Sequence, residues 1–112
     1  MRIRLWIAAI SSTLLAFTGP AFAACVPAAC IGEKISQLYI STDGSVFIQT
    51  TGDMSQLNCT RAGGVFMTLD MSLPGAEAIY SLLLSLRVTD QPLGQIRIVD
   101  GSDGCDVMYV WQ

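Results

Sequence analysis

Ile35-Ser36-Gln37-Leu38-Tyr39-Ile40-Ser41-Thr42-Asp43-Gly44-Ser45-Val46-Phe47-Ile48-Gln49-Thr50-Thr51 is the stretch that decides the fold of this 112-residue chain. Two β-forming runs flank Asp43-Gly44. Asp-Gly between such runs is among the strongest hairpin signals, because both turn residues can take positive φ. A two-residue turn pairs Thr42 with Ser45 and Ile40 with Phe47. One face then carries Leu38, Ile40 and Phe47, and the other carries Ile35, Tyr39, Val46 and Ile48. Neither face is polar, whereas an ordinary antiparallel hairpin keeps one face for solvent.

Downstream of the hairpin, residues 52–64 are polar and read as a loop. Val65 to Met71 alternates, with Val65, Met67, Leu69 and Met71 on one face and Phe66, Thr68 and Asp70 on the other. This is a third strand. A helix is expected from about Pro74 to Thr89, with Pro near its first turn, Glu77 favouring the N-terminal dipole and Pro92 as the stop. Ile79, Leu82, Leu83 and Leu86 form its core stripe. Tyr80, Leu84 and Val88 form a second apolar stripe beside the first, and a domain this small has little room to bury both. They are therefore the candidate oligomer interface. A fourth strand is expected at Gly94 to Asp100, then a turn at 101–104, then a fifth strand at Cys105 to Trp111. On that last strand Cys105, Val107, Tyr109 and Trp111 share a face.

Three strands, a helix and two strands make a mainly β domain with one helix. The order is that of an OB-fold, a five-stranded barrel with its helix between the third and fourth strands. The alternative is an open antiparallel sheet with one packed helix.

The front of the chain reads differently. Arg2 and Arg4 precede an apolar run from Leu5 to Phe17, then Gly19-Pro20 and Ala21-Phe22-Ala23. This is the three-part pattern of a secretory signal, with cleavage after Ala23. The run is too short to span a bilayer of roughly 30 Å. Residues 1–23 are thus a signal peptide and 24–112 a single domain, exported to the periplasm or beyond, with no membrane span after cleavage. Lipidation of Cys25 is a competing reading of Phe22-Ala23-Ala24-Cys25.

Cys25, Cys30, Cys59 and Cys105 all lie in the exported part. An even number in a small exported chain reads as disulfides. Three connectivities are possible. Cys25–Cys30 with Cys59–Cys105 is favoured, the first closing a tiny loop at a frayed N-terminus and the second tying mid-chain to the last strand.

Charge and composition narrow the function. The whole chain has 6 Lys+Arg, 9 Asp+Glu and no His, and is 52% hydrophobic. After cleavage, Lys34, Arg61, Arg87 and Arg97 face nine acids, a net charge of −5. Such a surface is wrong for nucleic acid, whose binders concentrate Lys and Arg. Lacking His, the chain lacks the commonest general base and the commonest metal ligand. Neither a serine nor a cysteine nucleophile has a His to activate it. Asp100, Asp103 and Asp106 could ligate calcium, but their spacing does not fit an EF-hand, and Asp and Gly are ordinary turn residues. The cysteine spacing is not that of a zinc ribbon. No catalytic residue, cofactor or metal is expected, and the chain reads as a non-enzyme. Tyr39, Tyr80, Tyr109 and Trp111 are aromatics with a polar handle, suited to core packing or to stacking on sugars. No ligand-binding residue is assigned.

Residues 34–48, from Lys34 through the hairpin to Ile48, resemble the opening hairpin of a group of small exported bacterial proteins. So does Ala76-Glu77-Ala78-Ile79-Tyr80-Ser81-Leu82-Leu83-Leu84, followed by a strand, Gly104-Cys105 and a short last strand. In that group one Cys follows the hairpin and another opens the last strand, as Cys59 and Cys105 do. The group is distantly similar to the receptor-binding B subunits of pentameric toxins, such as subtilase and pertussis-like cytotoxins. The resemblance implies an OB-fold, a ring of copies such as a pentamer, and a glycan ligand. It carries over no glycan-contacting residue. The expected function is an exported binding module that recognises a glycan or a partner protein as a homo-oligomer. The alternative is a structural or interaction protein of the cell envelope with neither toxin role nor catalysis.

Overall fold

The computed structural model describes residues 23–112, so the predicted signal segment lies outside the described residues apart from Ala23. The elements run β1 (Ala24–Val26), β2 (Ala29–Ile31), β3 (Ile35–Ile40), β4 (Val46–Thr50) and a short 3-10 helix (Met54–Gln56). Then follow β5 (Thr60–Arg61), β6 (Met67–Leu69), α1 (Ala76–Val88), β7 (Gln95–Ile98), β8 (Asp103–Gly104) and β9 (Val107–Trp111). Among the described residues the protein is mainly β with one α-helix. Its strands form three sheets, ordered β1-β2-β7-β9, β3-β4-β6 and β5-β8, and none of them closes on itself.

The five expected strands are β3, β4, β6, β7 and β9, with α1 between the third and fourth. The N-terminus departs from expectation, because it is not frayed. Val26 pairs with Ala29 across Pro27-Ala28, Cys25 pairs with Cys30, and β2 then joins β7. Pro fits this turn because its fixed φ suits the first corner position. Inside the expected 52–64 loop, Asp53 caps the 3-10 helix by accepting from the Ser55 amide, and β5 pairs with β8 in parallel.

The β3–β4 hairpin forms as expected, but in a different register. Tyr39 pairs with Phe47 and Ile40 with Val46. The Gly44 amide donates to the Ser41 carbonyl and the Ser41 amide to the Ser45 carbonyl. This is a three-residue loop, a type I turn closed by a left-handed residue, Gly44 with φ 86°. Asp43 has no positive φ, so the two-residue type I′ turn does not form. The register moves by one residue, and the faces regroup with it. Leu38, Ile40, Val46 and Ile48 now share the side that Met67 and Leu69 complete, while Tyr39 and Phe47 point the other way. A bulge at Ser36 lets Ile35 stay buried despite the parity of the strand.

A second bulge, at Met108, corrects the last strand. Ile98 pairs with Val107 but Arg97 pairs with Tyr109. Val107 is buried, and Tyr109 and Trp111 leave its face and are exposed.

Gly32 joins two sheets. Its φ is 66°, a conformation glycine takes without steric cost, and it turns the path of β2 into β3. β2 lies on β7 and β3 on β4. Between them the Gly32 amide donates to the Gly94 carbonyl and the Leu93 amide to the Glu33 carbonyl. On the opposite side Thr68 and Asp106 make an isolated parallel bridge between β6 and the approach to β9.

The core lies between these sheets and α1. Ile35, Val46, Ile48, Met67, Leu69, Leu83, Leu86, Leu93, Ile96, Ile98 and Val107 fill it, with Cys30 and Cys105. Leu83 and Leu86 of the expected stripe are buried; Ile79 and Leu82 are partly buried against the same core. The helix is two residues shorter at its start than expected and stops before Pro92. Asp90 takes a left-handed φ of 53°, and the Gln91 amide returns to the Leu86 carbonyl at 3.0 Å. That is a Schellman closure, with Asp where Gly is usual.

Both favoured disulfides form, Cys25–Cys30 and Cys59–Cys105. Among the described residues no helix is long and apolar enough to cross a membrane.

Candidate functional site: an aromatic patch beside a hydroxyl-lined cavity

The side of the β3-β4-β6 sheet that faces away from the core carries the feature of most chemical interest. Tyr39 and Phe47 are cross-strand partners, and their rings stack with centroids 4.9 Å apart. Phe66, just before β6, sets its ring edge-on to Tyr39 at 5.2 Å. Aromatic pairs favour these offset and edge-to-face arrangements. Tyr39 is 39% exposed, and Phe47 and Phe66 are half-buried. The three rings therefore brace one another at the surface.

Thr68 is the partner of Phe47 on β6. It also lines the adjoining cavity, of about 330 Å³, with Asp43, Gly44, Ser45, Asp70, Met71 and Ser72. The hairpin loop forms one wall and the segment after β6 the other. Each wall has its own carboxylate, held by a local serine. Asp43 Oδ1 accepts from the Ser45 amide at 3.0 Å and from the Ser41 hydroxyl. Asp70 Oδ1 accepts from the Ser72 amide at 2.9 Å and the Ser72 hydroxyl at 2.6 Å. These are the local side-chain-to-backbone bonds that Asp makes in turns. The Ser41 hydroxyl, then the Ser45 amide, hold the Asp43 carboxyl below its ordinary pKa. The Ser72 hydroxyl and amide do the same for Asp70. Both are anionic at neutral pH. A ring face for stacking beside hydroxyl donors and carboxylate acceptors can hold a polyhydroxylated ligand.

The Cys59–Cys105 bridge buttresses the site from behind. The Thr68 amide donates to the Cys105 carbonyl at 3.2 Å. Gly104 takes φ 101°, and a Cβ there would lie 3.3 Å from the Thr68 hydroxyl.

The residues singled out in the sequence fall elsewhere, except Tyr39. On α1, Tyr80 is half-buried, while Leu84 is 43% and Val88 76% exposed. Asp100 accepts from the Asn58 amide group at 2.6 Å across the turn. Among the described residues no group of three or more Cys, Asp or Glu side chains is placed to hold a metal ion. The two-residue turn expected from the sequence sets Phe47 on the face of Leu38 and Ile40, so the sequence alone does not bring it to the patch. The alternation of Val65 to Met71 places Phe66 on its observed side, with Thr68. No feature of the sequence brings Asp43 and Asp70 together before the register is known.

No protein family, curated protein or solved structure matches this chain. The likeness to toxin B subunits thus rests on the residues quoted above.

Proposed function

We propose that this chain is an exported, disulfide-stabilised binding module, similar to toxin B subunits, that recognises a glycan through the Tyr39–Phe47–Phe66 patch and its adjoining cavity. The observation that carries the reading is the contiguity of the two: a braced aromatic face and a hydroxyl-lined hollow share one side of one sheet. Aromatic rings receive the apolar face of a pyranose, while carboxylates and hydroxyls receive its OH groups.

The strand path supports an OB-like barrel. Taking β2 and β3 as one strand bent at Gly32, neighbours run β3-β4-β6, then through the Thr68–Asp106 bridge to β9, then β7 and back to β2. OB-folds bind oligosaccharides on the face of their second and third strands and on the loop between the first two. Those positions correspond to β4, β6 and the Asp43-Gly44 loop. Fold likeness alone does not transfer function, so the weight stays on the side chains. The exported location rests on residues 1–23 together with the two disulfides, which persist in oxidising compartments.

The exposed flank of α1 supports assembly of several copies, a ring such as a pentamer. Leu84 and Val88 together with Tyr80 are the surface such copies would cover. The same flank favours the second reading, a structural or interaction protein of the envelope without glycan recognition.

A glycan array probed with the exported protein separates the two. Binding to a defined glycan that falls at least tenfold in Phe66→Ala or Tyr39→Ala supports the first. Absence of glycan binding, or binding indifferent to both substitutions, overturns it in favour of the second.

A further inference from the structure

A closed ring of identical chains needs two different, matching patches on each chain, one for each neighbour. The exposed flank of α1 offers one. At about 100° per residue, Glu77, Leu84 and Val88 fall within about 40° of one another around the helix, so an exposed carboxylate heads the apolar line. Arg87 turns about 80° away from Glu77. The outward face of the β1-β2-β7-β9 sheet offers the other. There Arg97 is the register partner of Tyr109 and Gln95 of Trp111, and Ile31 and Val26 continue the face onto β2 and β1. Tyr109 and Trp111 are exposed, and Arg97 is partly so. The bulge at Met108 turns both aromatics outward, and the indole Nε1 of Trp111 donates to Gln95 Oε1. None of these six residues is acidic, in a chain that from Ala24 onward has nine acids and four bases. Trp, Tyr and Arg are the side chains that dominate binding energy in protein interfaces. The only ion pair among the described residues joins Lys34 to Asp90, so neither Glu77 nor Arg97 is neutralised within its own chain.

We infer that the assembly contact joins these unlike patches: Glu77, Leu84 and Val88 of α1 in one copy seat on Arg97, Tyr109 and Trp111 of the next, with Glu77 against Arg97. This rests on the assembly reading, whichever ligand the protein takes, and names the surface that covers the α1 flank. The dimensions agree. Four strands spaced about 4.8 Å make a face about 14 Å across, room for one helix about 10–12 Å wide. Leu84 lies about 10 Å along α1 from Glu77, and Trp111, diagonal to Arg97, lies about 8 Å from it. A Glu77 carboxylate that meets the Arg97 guanidinium therefore brings Leu84 onto the indole. Two copies that each carry an excess of acids repel one another elsewhere and meet where one of them presents a cation.

The test is light scattering of the exported protein, with Trp111 emission recorded on the same samples. Trp111 is the sole tryptophan from Ala24 onward. The native protein should scatter as several chains, and its emission should move to longer wavelength on dilution to single chains. Arg97→Glu and Glu77→Arg should each reduce the mass to that of one chain, and the double variant Arg97→Glu with Glu77→Arg should restore it. Leu84→Asp mixed with Arg97→Glu should give a complex of two chains, because the first keeps the sheet face and the second keeps the helix flank. Assembly that survives both charge reversals, or a double variant that stays dissociated, overturns the pairing and leaves assembly standing. A Trp111 emission indifferent to dissociation also overturns it, and that readout needs no variant. A native protein that is one chain at every concentration overturns the assembly reading itself, and the inference with it.

Discussion

The indole of Trp111 lies across Gly94: a Cβ at residue 94 would stand 2.2 Å from the ring's Cε3. Gly94 also donates its amide to the Trp111 carbonyl, and the indole Nε1 donates to Gln95 Oε1 at 3.2 Å. A tryptophan that is 50% exposed is thus held in one place from three directions. Gly94→Ala must push the ring aside or shift β9, and overpacking of this kind costs about 1–3 kcal/mol. From Ala24 onward Trp111 is the sole tryptophan, so its emission reports the displacement. A denaturation midpoint and an emission maximum both unchanged in the variant would contradict the packing described.

Neighbouring leucines on α1 should respond in opposite ways. Leu83 is fully buried, and Leu83→Asp places an unpaired charge in the core, with a cost of about 3–5 kcal/mol. That is a large part of the stability of a domain this size, and circular dichroism should show loss of the fold. Leu84→Asp should leave the fold intact and reduce the mass seen by light scattering to that of one chain. A Leu84→Asp protein that stays assembled removes this flank as the interface, and one that unfolds makes Leu84 part of the core.

The two disulfides differ in the chain they close. Cys59 and Cys105 are 46 residues apart and Cys25 and Cys30 only 5. In the chain-entropy account the first contributes about 4 kcal/mol and the second about 2 kcal/mol. Replacing Cys59 and Cys105 with Ala should therefore lower the urea midpoint more than replacing Cys25 and Cys30. The reverse order would mean that the N-terminal hairpin stabilises chiefly through its pairing with β7.

Acid should loosen the site before the core. The serine bonds lower the pKa of Asp43 and Asp70 in the folded state. Carboxyls of this kind contribute stability that is present above the unfolded pKa, about 3.9, and lost as pH falls through the folded value. NMR titration of both side chains should give midpoints below the ordinary value, with ligand binding level above that pH and declining beneath it. Midpoints at or above the ordinary value would refute the hydrogen-bond assignment.

The sequence reveals elements more readily than faces. The two faces of Val65 to Met71 can be read directly, because strict alternation has one interpretation and no bulge interrupts it, although only Met67–Leu69 forms strand. The helix is equally plain, whereas the four cysteines by themselves leave three connectivities open, and the structure selects Cys25–Cys30 with Cys59–Cys105. Asp43-Gly44 announced a turn but not its length, since the same dipeptide serves a two-residue loop with two positive φ angles and a three-residue loop with one. That single residue decided whether Phe47 joined the core or the aromatic patch. Ser36 and Met108, the bulged residues, carry no distinguishing chemistry, so the exposure of Tyr109 is hidden as well, while that of Trp111 follows from its place beside the C-terminus. The candidate site is assembled by register, which depends on pairings between distant residues.

The contact between β6 and the approach to β9 consists of one bridge and the Thr68 amide bond to Cys105, whereas β3 and β4, β4 and β6, β2 and β7, and β7 and β9 are joined by ladders. Thermal breathing of the wall is expected to concentrate along that line. Cys105 stands on it, covalently tied to Cys59, so the thinnest part of the wall is also the part that is stitched. Under reduction the two sheets would part there first, beside Thr68, and the aromatic patch and its cavity would slacken while the helix and its core partners still held their shape.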